Sequence, residues 1–407
     1  MADFNPLDPR LRTNPYDVYR ELREEAPIFW QPMMQTWVLT RYDDNLAVLR
    51  DHASFSSERT RAKNALVQQL ESYRLSSGPL GTTPTMLSID PPAHTRMRHL
   101  VNKAFTPRVV ERIRPHIAEI AEELLDALPD PRELDVVRDI AIPLPMIVIA
   151  EVLGVPLSDR ERFKAWSTDV ANSLGGPFQP PDVLDRARQS SNEIADYFRD
   201  QIAQRRRAPR DDLLSALCAA EEQGDLLSED ELIATCILLL IAGNETTTNL
   251  IGNGMLALLN HPDERRRLQA DPSLIESAVD EMLRYEGSVQ MTSRIVDHDL
   301  AFRGHRFEEG QVVLVMLGAA NRDPAQFPDP DHFDVARKPN RHIAFGQGIH
   351  YCLGAPLALA EAQIAFQTLL RRLPEPQAAF EAPQWGQSFI LRGLKSLAVK
   401  SRVVTSK

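Results

Sequence analysis

One stretch constrains this chain more than any other: residues Glu229 to Asn260 read as a single helix. Ser228-Glu229-Asp230-Glu231 has the spacing of a capping box, in which a serine side chain and a glutamate three residues on satisfy each other's free backbone N–H groups. His261-Pro262 stops the run. At the helical rise per residue such an element is roughly 48 Å long, enough to cross a whole domain, so the rest of the chain has to be built around it. Gly243, Gly252 and Gly254 interrupt it. Each costs about 1 kcal/mol against alanine in a helix interior, which points either to close approach of another body or to mere tolerance.

Helical periodicity dominates elsewhere too. Asp90-Pro91-Pro92 offers an N-cap before Met97, Leu100, Val101 and Ala104, and Ser158 to Glu161 repeats the capping-box spacing. Asp271-Pro272 opens a helix with Ile275, Ala278, Val279, Met282 and Leu283 on one face, ending at Gly287. From Arg294 to Leu317 short apolar runs punctuated by Gly304 and Gly310 read as a small hairpin-rich β region. Asn321 to Ile349 is irregular and longer than a connection should be unless it serves a site, and a last helix is expected over about Leu353–Leu373. Arg205-Arg206-Arg207 with Arg210 reads as a solvated turn. The fold class expected is mainly α with a small β region.

With 407 residues the chain can bury a large core. A formal charge of −11 argues against a general nucleic-acid footprint. Cys218, Cys236 and Cys352, with no short spacing between them, argue against a disulfide framework and a cysteine zinc site. The N-terminus has neither a basic leader nor an apolar core of a signal peptide, and the longest apolar run, Ile237–Ala242, is far short of the ~20 residues that span a bilayer. A soluble, cytoplasmic protein is expected.

The sharpest local feature is Phe345-Gly346-Gln347-Gly348-Ile349-His350-Tyr351-Cys352-Leu353-Gly354. Two glycines permit a tight turn, and Cys352 stands directly before a helix, where free N–H groups and the helix dipole favour an anion. A sulfur placed there is set up as a nucleophile or a metal ligand. Cys218 and Cys236 lie within amphipathic helices and read as small buried hydrophobes.

With its flanks, this segment resembles the haem-binding loop of the cytochrome P-450 superfamily, Phe-Gly-x-Gly-x-x-x-Cys-x-Gly, at every fixed position. Glu281-Met282-Leu283-Arg284 resembles the family's Glu-x-x-Arg motif, and Ala242-Gly243-Asn244-Glu245-Thr246-Thr247 its Ala/Gly-Gly-x-Asp/Glu-Thr pattern. The likeness runs from Asn14-Pro15-Tyr16 to Arg392-Gly393-Leu394. It implies one haem domain over residues 1–407 with no fused reductase, haem b as cofactor, and Cys352 as axial ligand of the iron. It also implies contacts from Phe345, Gly346 and Gly243, and propionate partners in His94, Arg98, Arg294 and His350. His94 and Arg98, four apart, share a helix face. Glu281 and Arg284, locked by Arg337 from the irregular stretch, would hold the haem-side core together. Glu245 and Thr246 would relay protons, with Thr247 an adjacent hydroxyl that could take the place of Thr246.

The activity implied is a monooxygenase placing one atom of dioxygen into an apolar small molecule by hydroxylation or epoxidation. Its electrons would come from NAD(P)H through a separate ferredoxin reductase and ferredoxin. Two alternatives stand beside it: a hydrogen-peroxide-driven peroxygenase, against which the Glu245-Thr246 pair speaks, and a non-catalytic haem protein that binds a ligand. Arg96, His99 and Lys103 fall on one helical face and could form a basic dock for an acidic ferredoxin. The substrate pocket is expected from residues 66–87 and 170–181, from Leu239 and Gly243, and from 289–292 and Phe389-Ile390; the substrate is a macrolide, terpenoid, steroid or fatty acid. A monomer is expected, with no membrane or nucleic-acid partner.

Overall fold

In the computed structural model, the described residues are 4–5, 8–75, 79–130, 132–172, 180–222, 224–386, 388 and 390–401. The long helix is there, Glu229–Asn260, and it carries the capping box at Ser228 and Glu231. Helices Pro143–Val152, Arg160–Asn172, Pro181–Arg207, Ile275–Tyr285 and Ala355–Arg372 pack around it. Ile233, Cys236, Ile237, Leu240, Ile251, Met255 and Leu258 bury completely and anchor the largest apolar core. Each contributes about 1.5–3 kcal/mol on removal from water, Cys236 excepted.

The two readings of the helix glycines separate. At Gly254 a Cβ would lie 2.5 Å from the Phe366 ring and 2.7 Å from the Met282 sulfur, so this glycine lets the helices of Met282 and Phe366 approach the central one closely. At Gly243, among the described residues, a Cβ would meet only Ile149, at 3.8 Å, an ordinary contact. No neighbour among the described residues demands glycine there.

The β region forms a five-stranded sheet in the order Ile28–Gln31, Thr36–Leu39, Val312–Val315, Thr292–Val296, Phe55–Ser56. All its pairings are antiparallel except that of Thr36–Leu39 with Val312–Val315. The register sets Val313 opposite Arg294. The hairpin Leu300–Phe302 with His305–Phe307 lies between the two C-terminal strands in sequence.

Three local expectations need correction. The helix after Asp90 begins at Ala93 with Pro92 at its N-cap and no side-chain cap; the Asp90 carboxylate instead accepts the Ser57 N–H at 3.0 Å and the Ser56 hydroxyl. Ser158 sits inside a 3-10 turn, Leu157–Asp159, ahead of the helix rather than at its cap. Arg205 is not in a solvated turn: it is 1% exposed in the last turn of Pro181–Arg207, pairing with Asp212 at 2.7 Å and donating to the Gly154 carbonyl at 2.7 Å. Its neighbours Arg206 and Arg207 are exposed, so a charge run in sequence hid one buried member.

Candidate active site

The cysteine loop is shaped by its glycines. Gly346 and Gly348 take φ of 70° and 71°, and a Cβ on Gly348 would clash with the Leu49 carbonyl oxygen. The turn closes through the Cys352 N–H on the Phe345 carbonyl at 2.9 Å and the Gly346 N–H on Ile343 at 3.0 Å. Beyond it the helix Ala355–Arg372 begins. Burial pushes the Cys352 thiol up, while the N–H groups of Gly354 and Ala355 and the Arg98 guanidinium pull the other way. The helix start does serve the sulfur as the sequence suggested. In the protein alone, desolvation outweighs it. Arg98 also donates to the Tyr351 carbonyl at 2.7 Å, which ties its helix to the loop.

Beside the loop lies a cluster of buried cationic and imidazole groups. The rings of His94 and His350 are 4.4 Å apart, His94 on the helix Ala93–Ala104 and His350 in the loop. Among the described residues both ring nitrogens of His94 and Nε2 of His350 have no hydrogen-bond partner; Asp90 Oδ1 lies 3.9 Å from that Nε2, and the His350 ring also bonds the Met86 backbone. Burial, then the nearby Arg294 and His94, push His350 down to about 3. Arg294 is buried on its strand and pushed down to about 10 by desolvation. Its Nη1 donates to the Ser293 carbonyl at 2.8 Å. An unpaired buried polar atom costs about 1–3 kcal/mol, so a cluster of them is a binding site for a group of opposite character.

On the central helix, residues 247–258 are buried, but Ala242 is exposed and Gly243, Glu245 and Thr246 are partly so. The Thr246 hydroxyl donates to the Ala242 carbonyl at 2.8 Å. Burial raises the Glu245 carboxyl above its ordinary value. Thr247 turns the other way: it is 2% exposed and hydrogen-bonds Glu361 of the cysteine helix. Desolvation pushes Glu361 up to about 8, the threonine hydroxyl opposing it. No sequence signal separated Glu361 from an ordinary helix-surface glutamate.

Glu281 and Arg284 are both fully buried, joined at 2.7 and 2.8 Å. Arg337 reaches the same carboxylate at 3.1 Å, as does Asn340 at 3.1 Å, and the Asp334 N–H at 3.0 Å. Arg284 also donates to the carbonyls of Asn321, Pro330 and His332. Asn340 and these carbonyl bonds went unnoticed in the sequence, since backbone acceptors carry no residue signature.

The basic dock is altered by the structure. Arg96 pairs with Glu231 at the start of the central helix and with Asp225, so its charge is met within the chain. Of the expected pocket segments, residues 76–78, 173–179 and Phe389 lie outside the described residues.

A cysteine in a glycine turn, two buried imidazoles and a buried arginine, and a small-residue window on a long helix are the features of a haem-thiolate enzyme. Residues 6–375 match the family model "Cytochrome P450", and the chain belongs to that family. It is 40% identical to the polyketide biosynthesis cytochrome P450 PksS of Bacillus subtilis (strain 168), over 97% of this chain and 98% of that protein. It is also 40% identical to the vitamin D(3) 25-hydroxylase of Pseudonocardia autotrophica, over 95% of this chain and 93% of that one. The solved structure of the Bacillus subtilis PksS superposes with a TM-score of 0.88 at 39% identity, covering 98% of this chain and all of that one. That of P450BioI in complex with an acyl carrier protein carrying hexadec-9Z-enoic acid gives 0.87 at 37% identity, covering 96% and 98%.

The chain is therefore a cytochrome P450 monooxygenase of bacterial type, and its family's cofactor is haem b. The residues present fit that group: a thiol offered by a closed loop, and a buried guanidinium and two imidazoles that share, among the described residues, a single nearby carboxylate, Asp90, which already accepts from Ser56 and Ser57, and so suit propionates. Among the described residues no helix is long and apolar enough to cross a membrane.

Proposed function

We propose that this monooxygenase hydroxylates or epoxidises a large, mostly apolar molecule, and that its electrons arrive from NAD(P)H through a separate ferredoxin reductase and ferredoxin, the 407 residues forming one haem domain. The observation that carries the site assignment is the closed Cys352 loop beside the buried group of His94, His350 and Arg294, in which both His94 nitrogens and His350 Nε2 lack a hydrogen bond among the described residues. Cys352 would be the axial ligand; Arg98, Arg294, His94 and His350 would meet the propionates; Phe345 and Gly346 would shape the loop beneath the ring. A haem held on a thiolate reduces dioxygen and places one oxygen atom in an unactivated bond, the sulfur's electron donation favouring O–O cleavage.

The chain's own part is positioning and proton control. Ala242 and Gly243 keep the helix backbone accessible to a flat group, since among the described residues a Cβ at 243 would have only Ile149 beside it. Glu245, held closer to its protonated form by burial, and the Thr246 hydroxyl stand on the same stretch and would pass protons inward. Thr247 is committed to Glu361 and faces away. Relatives support the substrate class: their printed names and titles mention polyketide biosynthesis, vitamin D(3), testosterone and a carrier-bound fatty acid. Val289 to Thr292 and Ile390 carry no charge and suit such a molecule.

The test is spectral and catalytic. The reduced CO complex should show the red-shifted Soret band of thiolate ligation, lost in Cys352→His and retained in Cys218→Ser and Cys236→Ser. With a surrogate ferredoxin and reductase, the protein should form product from an apolar panel only when NAD(P)H is supplied. Product from hydrogen peroxide alone at a comparable rate would replace the ferredoxin reading with the peroxygenase one.

A further inference from the structure

The segment after the Glu281–Arg284 helix runs between the central helix and residues 390–392 near the C-terminus, and polar bonds fix it on both sides. Val289 bridges to Leu391, the Gln290 N–H donates to the Ile390 carbonyl at 2.8 Å, and the Arg392 N–H donates to the Ser288 carbonyl at 2.8 Å. Toward the central helix, Asn253 Nδ2 donates to the carbonyls of Glu286 and Arg392 at 3.2 and 2.9 Å. Two turns nearer the cysteine loop's window, on the same helix face, the Ser288 hydroxyl donates to the carbonyl oxygen of Thr246 at 2.7 Å.

That last bond is unusual in kind. A carbonyl inside a helix ordinarily serves the N–H four residues on, and a donor from outside tilts its peptide and fixes the local direction of the helix. Ser288 is 5% exposed, so the bond is sheltered from water. Thr246 is thereby held at two points: its hydroxyl on Ala242 and its carbonyl on Ser288. The next peptide carries Thr247, turned to Glu361.

We propose that Ser288 is a positioning residue for Thr246: it links the segment that continues into Val289–Thr292, on the substrate side, to the helix turn that handles protons, and so sets how many electrons end in product. This rests on the reading of Thr246 as the proton-relay hydroxyl. Because the Thr246 carbonyl keeps its helical partner when Ser288 is truncated, the bond contributes direction more than stability.

Ser288→Ala should keep the thiolate CO spectrum, the melting temperature and, within about twofold, the spectral substrate affinity, while product formed per NADPH falls about threefold or more and hydrogen peroxide rises. Ser288→Thr, which keeps the hydroxyl, should restore coupling. Ser288→Ala combined with Thr246→Ala should be no worse than Thr246→Ala alone, because the first acts only through the second. In the resting enzyme, without substrate or electrons, amide exchange over residues 246–250 should quicken in Ser288→Ala and not in Ser288→Thr. Parental coupling or unchanged exchange in Ser288→Ala, or additive losses in the double variant, overturns the inference. Full coupling in Thr246→Ala would instead remove the Thr246 reading, and this inference with it.

Discussion

Two buried polar clusters lie within one molecule and are built on opposite plans. Around Glu281 every donor is matched: its carboxylate receives Arg284, Arg337, Asn340 and the Asp334 N–H, and Arg284 spends its remaining donors on backbone carbonyls. Around His350, among the described residues, both ring nitrogens of His94 and Nε2 of His350 have no hydrogen-bond partner, Arg294 donates to the carbonyl beside it in the chain, and one carboxylate, Asp90, stands 3.9 Å from His350 Nε2. The first is complete as the chain folds; the second sets one carboxylate, Asp90, against His94, His350 and Arg294, and has room in its charge for a further anionic group. A buried charge with all its partners is a joint, and buried donors without partners mark a receptor.

The comparison is broken most forcefully at the joint. Glu281→Ala strands Arg284 and Arg337 in the interior, and breaking a buried pair typically costs about 3–5 kcal/mol. A fall of that size in the denaturation free energy of the haem-free protein is expected, with poor haem retention following from it. An unchanged denaturation midpoint would mean that water reaches the cluster and that it is no joint at all.

Glu361 sharpens the contrast because it is buried with a single hydroxyl partner. Its folded pKa of about 8 lies above the ordinary 4.5, so between those values the folded state keeps a proton that the unfolded chain releases. Stability from this group is therefore lost as pH rises through that window, by up to a few kcal/mol at about 1.4 kcal/mol per unit. Glu361→Gln should flatten the dependence, leaving the variant more stable than the parent at pH near 8 and similar near 5. Parallel curves for the two proteins, read from urea midpoints, would show that Glu361 is solvated.

At the receptor the sign of a mutation should depend on the cofactor. His94 is 3% exposed with neither ring nitrogen bonded among the described residues. His94→Leu should leave haem-free stability unchanged or raise it by about 1 kcal/mol, and should lower haem affinity, read as faster haem transfer to an apo-myoglobin scavenger. Destabilisation of the haem-free protein would place His94 with Glu281 as part of the frame.

The joint and the receptor were not equally legible in the sequence. The capped helix, the glycine turn and the Glu281–Arg284 spacing are local patterns, and local patterns survive in one dimension. Arg205 and Arg96 were misread because pairing with Asp212 and Glu231 is decided by helices that meet only in the fold. Ser288, Glu361 and Asn340 carried no signal: each gains meaning from a backbone carbonyl or a hydroxyl that another element presents. The β region was recognised from 294 onward, but three of the five sheet strands come from residues before 57, which no hairpin pattern in the C-terminal half could reveal.

The smallest effect on stability is expected at the two threonines, where the receptor meets the central helix. Thr246→Ala removes a hydroxyl that bonds back to Ala242, a bond worth little to a helix, so its melting temperature should stay close to the parent's. Thr247→Val removes the hydroxyl beside Glu361 and should change the pH dependence of stability slightly, since that hydroxyl opposes the upward shift. Function should divide the other way. Thr246 stands on the window with Ala242 and Glu245, so its loss should leave substrate binding and reduction nearly intact while NADPH consumption ends in hydrogen peroxide rather than product. Thr247→Val should remain coupled. The ratio of product to NADPH in the two variants decides the matter. Uncoupling in Thr247→Val alone would reassign the relay to the Thr247–Glu361 side of the helix. Full coupling in both would give the role to a substrate hydroxyl or an ordered water, and the window around Ala242 would then be a surface for the ring and nothing more.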